Sequence, residues 1–220
     1  MRTPMDESVC RLFAWLSPAY PVGAFTYSHG LEWGVEAGDV RDVATLIGWI
    51  ADVLRHGAGR TDAVLLACAC RAFGVGDTAA LAEVAELAEA LAPSAERLLE
   101  TASMGAAFAE VTAAAWSADP RPAAYPIALG CAVAQHRIPL DQAVPLYLQA
   151  FASNLVSAGI RLGVAGQTDA QRALASLMPL SAAVAAEAIT LTIDDIGGSV
   201  LRSDIASMRH ETQATRLFRS

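Results

Sequence analysis

The chain has 220 residues, of which 54% are hydrophobic and 17% charged, with a formal net charge of -8. This acidic balance argues against nucleic-acid binding, which needs a basic face, and all of the basic residues are arginines. Four cysteines in a chain of this length also argue against a secreted disulfide scaffold.

Two features of the sequence argue against export and against insertion into a membrane. The N-terminus, Met-Arg-Thr-Pro-Met-Asp-Glu, carries acidic residues where a signal peptide needs an apolar run. The longest apolar stretch, 173–193, is interrupted by Pro179 and Glu187, so we interpret it as core helix and not as a membrane span. We therefore expect a cytoplasmic protein with no membrane association.

Helical periodicity dominates the sequence. Apolar residues recur with helical spacing at Val43, Leu46, Ile47 and Ile50, and again at Val144, Tyr147, Leu148 and Phe151. No segment alternates with the period of a strand. The pattern predicts an all-α fold, a compact bundle of about ten helices, in a single domain covering residues 1–220.

Capping residues and breakers set the expected boundaries of the helices. They predict helices over about 6–16, 26–37, 39–57, 61–70, 77–93, 94–116, 123–135, 139–162, 168–178 and 179–197, with a last segment from 204. In this scheme Asp39 caps the third helix and Pro179 starts a new one. Loops are expected at 17–23 and at Asp119–Pro122.

The sequence contains little that predicts a reactive centre. Cys68 and Cys70 lie two apart on a predicted helix, so their side chains point in different directions and we expect buried structural thiols. His210-Glu211 begins like a His-Glu-x-x-His zinc motif but lacks the second histidine. No phosphate-binding loop is present, and we predict no metal site, cofactor or catalytic residue.

Two further pairs receive similar interpretations. Ser28 and His29 are adjacent on the predicted second helix, where neighbouring side chains do not face each other. Glu32 and Glu36 lie one turn apart, and we interpret them as part of a solvated acidic helix face.

The stretch from Pro18 to Glu32, the N-terminal turn, is less easily explained by core packing. It combines two prolines with Phe25, Tyr27, Ser28 and His29, a set that supplies rigid contact area for a partner. At the other end, residues 202–220 carry a net charge of +2 on a body of -10. Such a basic tail can fold back, dock on another acidic surface, or remain a solvated terminus.

Four stretches in order resemble the UreF family of urease accessory proteins. They are the Ser-Pro-x-x-Pro-Val-Gly-Ala-Phe turn from Ser17, with Thr26 in place of the family's serine, and the segments 96–105, 154–168 and 208–220. The last, Met-Arg-His-Glu-Thr-Gln-Ala-Thr-Arg-Leu-Phe-Arg-Ser, is very close to the family's closing sequence.

The resemblance implies a non-enzymatic, dimeric, all-α assembly protein. Such proteins bind UreD (also called UreH) and the GTPase UreG, and help to deliver nickel into apo-urease. It also implies that residues 203–220, the C-terminal segment, dock on a partner. Partner-binding roles carry over to Tyr27, Ser28, His29, Glu32, Arg209, His210, Glu211, Arg216 and Arg219.

Two alternatives remain open. The chain could be an independent nickel carrier, which would depend on His210 or Cys68. It could also be a metal-dependent hydrolase with His136, Glu100 and Glu110 in one cleft. A structure that buries both end regions within one chain, beside a pocket of converging acidic and imidazole groups, would favour the enzyme.

Overall fold

The computed structural model describes residues 7–116 and 123–220. In those ranges the chain forms ten α-helices and two 3₁₀ turns, and no β-strand. The helices are α1 (Glu7–Trp15), α2 (Leu31–Glu36), α3 (Val43–His56), α4 (Ala58–Val75), α5 (Thr78–Ala90), α6 (Ala95–Trp116), α7 (Tyr125–Gln135), α8 (Leu140–Arg161), α9 (Gln167–Ala188) and α10 (Leu201–His210). The predicted all-α class is confirmed.

Helix α4 lies at the centre of the bundle, in contact with α3, α5, α7, α8 and α9. Its run from Ala63 to Cys70 is buried on every side, which explains why this helix has almost no polar face. Helix α7 is buried from Tyr125 to Val133. Gly130 allows α7 to approach α4 closely, because a Cβ there would come within 2.6 Å of the Leu66 carbonyl oxygen.

One helix, α8, is long and apolar enough to cross a membrane by length and composition alone. It packs against α9, α4 and α3, and 56% of its apolar window is buried within the chain. Its apolar residues therefore form the core of the bundle. The apolar stretch 173–193 singled out in the sequence forms much of α9 and the turn after it.

The predicted break at Pro179 is wrong. Helix α9 continues through Pro179, which lies within the helix and is exposed. Leu177 and Val184, on either side of the proline, are both buried, so packing stabilises one continuous helix despite the lost backbone hydrogen bond. Tertiary contacts override a strong local breaker here.

The predicted second helix over 26–37 is also wrong in its first half. Residues Ala24–Thr26 form a 3₁₀ turn, and α2 begins only at Leu31. His29 and Gly30 both have positive φ, 56° and 75°, which no α-helix allows. The Ser28-His29 pair therefore lies in a tight turn between two helical pieces.

Other boundaries differ by a few residues. The cap of α3 is Asp42, whose carboxylate accepts a hydrogen bond from the Thr45 amide at 2.8 Å, so the expected cap at Asp39 is wrong. Helix α4 begins at Ala58 and runs to Val75, past both ends of the prediction. The predicted turn at Asp119–Pro122 lies outside the described residues, as does the expected start of the first helix at Asp6.

Candidate functional site

The two end regions of the chain meet in the folded protein. After α10 the last ten residues, 211–220, which we call the tail, run alongside the N-terminal turn. The amide of Arg219 donates to the Thr26 carbonyl at 2.8 Å, and the amide of Ser28 donates to the Ser220 carbonyl at 2.9 Å. The Ser28 hydroxyl donates to that same carbonyl at 2.5 Å. The tail thus folds back on its own chain, which is one of the three arrangements that the sequence analysis left open for this basic segment.

Three glutamates, Glu32, Glu96 and Glu100, form the acidic seat on which the tail rests. The Glu32 carboxylate accepts the amides of Leu217 and Phe218 at 2.7 and 2.9 Å. It is buried, so the prediction that Glu32 belongs to a solvated acidic face is wrong. Charge-assisted hydrogen bonds of this kind compensate for the water that a buried carboxylate loses.

His210 connects two of these glutamates. Its Nε2 lies 3.1 Å from Glu32 and its Nδ1 lies 2.6 Å from Glu96, and its side chain is completely buried. Glu96 also binds the guanidinium of Arg216 at 2.5 Å. These contacts join α2, α6, α10 and the tail.

Glu100 lies deepest in the seat. It pairs with Arg97 one turn away on α6, and its other neighbours are His29 Nε2 at 3.1 Å and the Ser220 hydroxyl at 2.5 Å. Burial alone would raise the pKa of this carboxyl, but Arg97 and His29 together lower the pKa of Glu100 to about 2. Glu100 is therefore ionised at neutral pH and fully paired.

The turn that carries His29 is held by close packing. A Cβ on Gly30 would come within 2.7 Å of the Ser207 amide nitrogen on α10. The His29 ring packs edge-on against Phe151 of α8, with ring centroids 4.7 Å apart. The left-handed backbone at these two positions therefore brings α10 and the N-terminal turn together.

Glu211 has a different role from the seat glutamates. Its carboxylate accepts the amides of Ala95 and Glu96 at 2.7 and 3.4 Å, at the N-terminus of α6. A carboxylate there satisfies free amides and complements the helix dipole. The start of the tail thus caps the helix that supplies two seat residues.

A cavity of about 370 Å³ lies beside the seat. His29, Arg97 and Glu100 form part of its wall, together with Asp62 and Tyr147. The Tyr147 hydroxyl donates to Asp62 at 2.9 Å, and burial raises the pKa of Asp62 against the opposing effect of Arg97. A smaller cavity of about 140 Å³ also has Asp62 and Arg97 in its wall.

The enzyme alternative required both end regions to be buried beside a pocket of converging acidic and imidazole groups, and the structure meets this condition only in part. The two end regions do pack together beside a cavity that acidic and imidazole groups line. Glu100 borders this cavity, whereas His136 and Glu110 do not, so the three proposed ligands are not brought together. Within residues 7–116 and 123–220, no group of three or more histidine, cysteine or acidic side chains could hold a metal ion.

The cysteines are arranged as the sequence suggested. Cys68 and Cys70 are buried on α4, and Cys68 Sγ lies 3.1 Å from the guanidinium of Arg71. Burial raises the pKa of both thiols, that of Cys70 to about 11. We therefore expect both thiols to react slowly at neutral pH in the folded protein. His210, the other residue on which the nickel carrier would depend, is buried between Glu32 and Glu96, and the nickel carrier stays an untested alternative.

The nine residues predicted to bind partners fall into two groups. Tyr27, Ser28, His29, Glu32 and His210 are buried within the chain. Of these, Ser28 and Glu32 bind the tail directly. Arg209, Glu211, Arg216 and Arg219 are exposed. Their role toward a partner stays a prediction.

Sequence reasoning assigned no role to Glu96, Arg97, Asp62 or Tyr147. The signal for the first two was present in α6, where Glu96, Arg97 and Glu100 place three charges on adjoining turns among leucine and alanine. Charged residues at i, i+3 and i+4 normally interact across a helix surface. Asp62 and Tyr147 are 85 residues apart and gave no local signal.

Comparison with known proteins identifies the class. The family model described as UreF matches residues 40–178. The urease accessory protein UreF of Rhodopseudomonas palustris strain HaA2 is 53% identical over 222 residues, covering 97% of this chain and 94% of that protein. The UreF of Cereibacter sphaeroides strain KD131 is 52% identical, covering 98% of this chain and all of that protein.

The chain therefore belongs to the UreF family of urease accessory proteins. It is an accessory protein and not an enzyme, as the resemblance implied. The family model ends before the C-terminal segment, but the relatives align over nearly the full length of the chain, so the end regions are part of the similarity.

Proposed function

We propose that this chain is a cytoplasmic, dimeric scaffold that binds UreD (UreH) and the GTPase UreG and promotes nickel delivery into apo-urease. Support comes from the family to which the chain belongs and from the C-terminal segment, residues 203–220. The seat fixes this segment, so its outward side chains are held in one arrangement. A preorganised surface binds a partner at a lower entropic cost than a flexible terminus does.

The observation that carries the proposal is an apolar ridge on the outer face of α10. Leu201, Ile205 and Met208 follow helical spacing along one face, and their exposed fractions are 67%, 52% and 50%. Arg209 lies next to this ridge and is exposed. Apolar side chains grouped on one surface mark an interaction site, and here we assign it to UreD.

The ridge can be tested without disturbing the seat. We expect the triple variant Leu201→Ser, Ile205→Ser, Met208→Ser to keep its helical circular dichroism and to lose capture of UreD at least tenfold. The control is Phe13→Ser on α1, which removes an exposed apolar side chain, 78% exposed, far from the ridge in sequence. Unchanged capture by a folded ridge variant would refute the assignment.

The function as a whole is tested in cells that express urease with its accessory proteins, with and without this chain. We expect urease made without the chain to contain little nickel and to show little activity, and both to return when the chain is restored. Normal nickel content in its absence would refute the proposed function. Deleting 209–220 is a poor substitute, because it would remove His210 and the two tail amides that bind the buried carboxylate of Glu32.

A further inference from the structure

Asp62 forms part of the wall of both cavities, and among the described residues it has no cationic partner of its own. Its carboxylate accepts a hydrogen bond from the neutral Tyr147 hydroxyl at 2.9 Å. The ion pair of Arg97 is with Glu100, so this guanidinium acts on Asp62 only at longer range. Aspartates are seldom placed in a protein interior without a paired charge, so this carboxylate needs an explanation.

The surroundings of Asp62 leave its negative charge undercompensated. Burial raises the pKa of Asp62, and this effect outweighs the opposing effects of Arg97, Tyr147 and His29. Glu100 adds a second negative charge nearby and raises the pKa of Asp62 further. A positive charge brought into the larger cavity would therefore stabilise the ionised carboxylate.

Aromatic rings line the larger cavity beside this carboxylate. Tyr125, Tyr147 and Phe151 lie in its wall, with ring centroids 6.1 Å apart for the first pair and 6.5 Å apart for the second. The faces of such rings attract cations and also pack against apolar groups. The cavity volume of about 370 Å³ lies in the range of sites that hold small molecules.

The wall of this cavity extends to the protein surface. It includes Ser157 at the end of α8 and Gln167 and Gln171 at the start of α9, and all three residues are exposed. The N-terminal turn contributes Tyr20 and Phe25 to the same wall. A small molecule can therefore enter between α9 and the N-terminal turn.

We propose that the larger cavity is a binding site for a small organic cation, whose charged head pairs with Asp62 and whose apolar body packs among Tyr125, Tyr147 and Phe151. A bare metal ion fits less well, because the described residues contain no group of three histidine, cysteine or acidic side chains that could hold one. An organic cation needs only one carboxylate and an aromatic surface. The site goes beyond the proposed function and depends on this chain alone.

The charge requirement can be tested with three probes of similar shape. Benzamidine is a planar aromatic cation, benzamide is its neutral counterpart, and benzoate is the corresponding anion. In titration calorimetry of the purified full chain at pH 7.5, we expect one benzamidine to bind per chain, at least tenfold more tightly than benzamide, and benzoate not to bind. Equal affinity for benzamidine and benzamide, or no binding of benzamidine, would overturn the proposal.

A matched pair of variants tests the role of the carboxylate. Asp62→Asn keeps the size of the side chain and removes its charge, so it should weaken benzamidine binding at least tenfold and leave the weak binding of benzamide unchanged. The control is Asp52→Asn, an exposed aspartate on α3, which should bind benzamidine like the unmodified chain. Undiminished benzamidine binding by folded Asp62→Asn would refute the site.

The position of the probe can be measured without any variant. We expect nuclear Overhauser contacts between the benzamidine ring protons and the rings of Tyr147 and Phe151 in the unmodified chain. Contacts confined to an exposed ring such as that of Phe13, which is 78% exposed, would place the probe elsewhere and refute the site.

Nickel distinguishes the proposed ligand from a metal. Nickel at the same concentration as benzamidine should leave the affinity for benzamidine unchanged, and displacement would assign the carboxylate to a metal ion and overturn the proposal. Benzamidine binding is measured on the isolated chain, whereas UreD capture and nickel loading of urease are measured on the complex. Failure of either proposal therefore leaves the other standing.

Discussion

Glu100 keeps its charge where there is almost no water, because Arg97, His29 and the Ser220 hydroxyl surround its carboxylate. Its pKa falls from an ordinary value of 4.5 to about 2 in the folded protein. The folded state therefore binds this proton less tightly than the unfolded state does. The contribution to the free energy of unfolding is complete above pH 4.5 and is lost as the pH falls toward 2.

Replacing Glu100 by Gln should destabilise the protein strongly. The change removes one partner of a buried ion pair and leaves Arg97 buried without compensation, which costs about 3–5 kcal/mol. Urea unfolding at pH 7 measures the loss, and the same series down to pH 2.5 should show a shallower decline than in the parent.

The matched control is Glu110→Gln on the exposed side of the same helix. It should change the free energy of unfolding by less than about 0.5 kcal/mol. Equal effects of the two variants would contradict the assigned burial and pairing of Glu100.

The four thiols differ in burial and should therefore differ in reactivity. Cys10 is exposed, whereas Cys68, Cys70 and Cys131 are buried. We expect iodoacetamide at pH 7.5 to modify Cys10 in the native protein within minutes and the three others only after unfolding in urea. Mass spectrometry of the labelled peptides checks this, and rapid native labelling of Cys70 would contradict its position in the core.

At the scale of helices, capping chemistry predicted most of the segments but not their exact ends. The helix predicted to begin at 77 does begin there, because Asp77 caps it: the Asp77 carboxylate accepts the Ala80 amide at 3.0 Å. Pro179 and the His29-Gly30 turn were misread for opposite reasons. At Pro179, packing of the neighbouring residues keeps α9 continuous although proline usually ends a helix. At His29 and Gly30, positive φ angles interrupt the helix although the composition of the segment favours one.

Gly30 and Gly38 form a natural pair for testing the contact between α10 and the N-terminal turn. Both have positive φ, so replacement by alanine costs each about 1–2 kcal/mol in backbone strain. A Cβ at Gly38 would meet nothing within 4 Å, whereas one at Gly30 would strike the α10 backbone at Ser207.

We therefore expect Gly30→Ala to cost about 1–3 kcal/mol more than Gly38→Ala. It should also make the tail more susceptible to trypsin, which Gly38→Ala should not do. Urea unfolding and cleavage of the two variants side by side measure both effects. Identical behaviour would mean that α10 does not pack on Gly30 as described.

At the scale of the whole molecule, the sequence predicted the fold class well and the site only in outline. Apolar spacing identifies helices because each helix buries one face locally. The acidic seat, in contrast, joins Glu32 to residues 185 and 186 positions away, and no local pattern encodes such a contact. The family resemblance pointed to both end regions, but not to their burial against each other.

The proposed homodimer has a direct test. The chain has a mass of 22.9 kDa, so light scattering after size-exclusion chromatography should give about twice this value. The ridge variant should have the same dimer mass, because we assign the ridge to the contact with UreD and not to the contact between two copies of this chain. A shift to the monomer mass would reassign the ridge to the dimer contact.

The meeting of the two end regions also has a consequence for biosynthesis. Ser28 is hydrogen-bonded to Ser220, 192 positions later in the chain. The N-terminal turn therefore leaves the ribosome long before Ser220 is translated. Until then Glu32 and Glu100 have no tail to bind. A chain that stops short of Leu217 lacks the two amides that bind Glu32 and the Ser220 hydroxyl that binds Glu100. Synthesis of residues 217–220 thus becomes a condition for filling the seat and fixing the N-terminal turn.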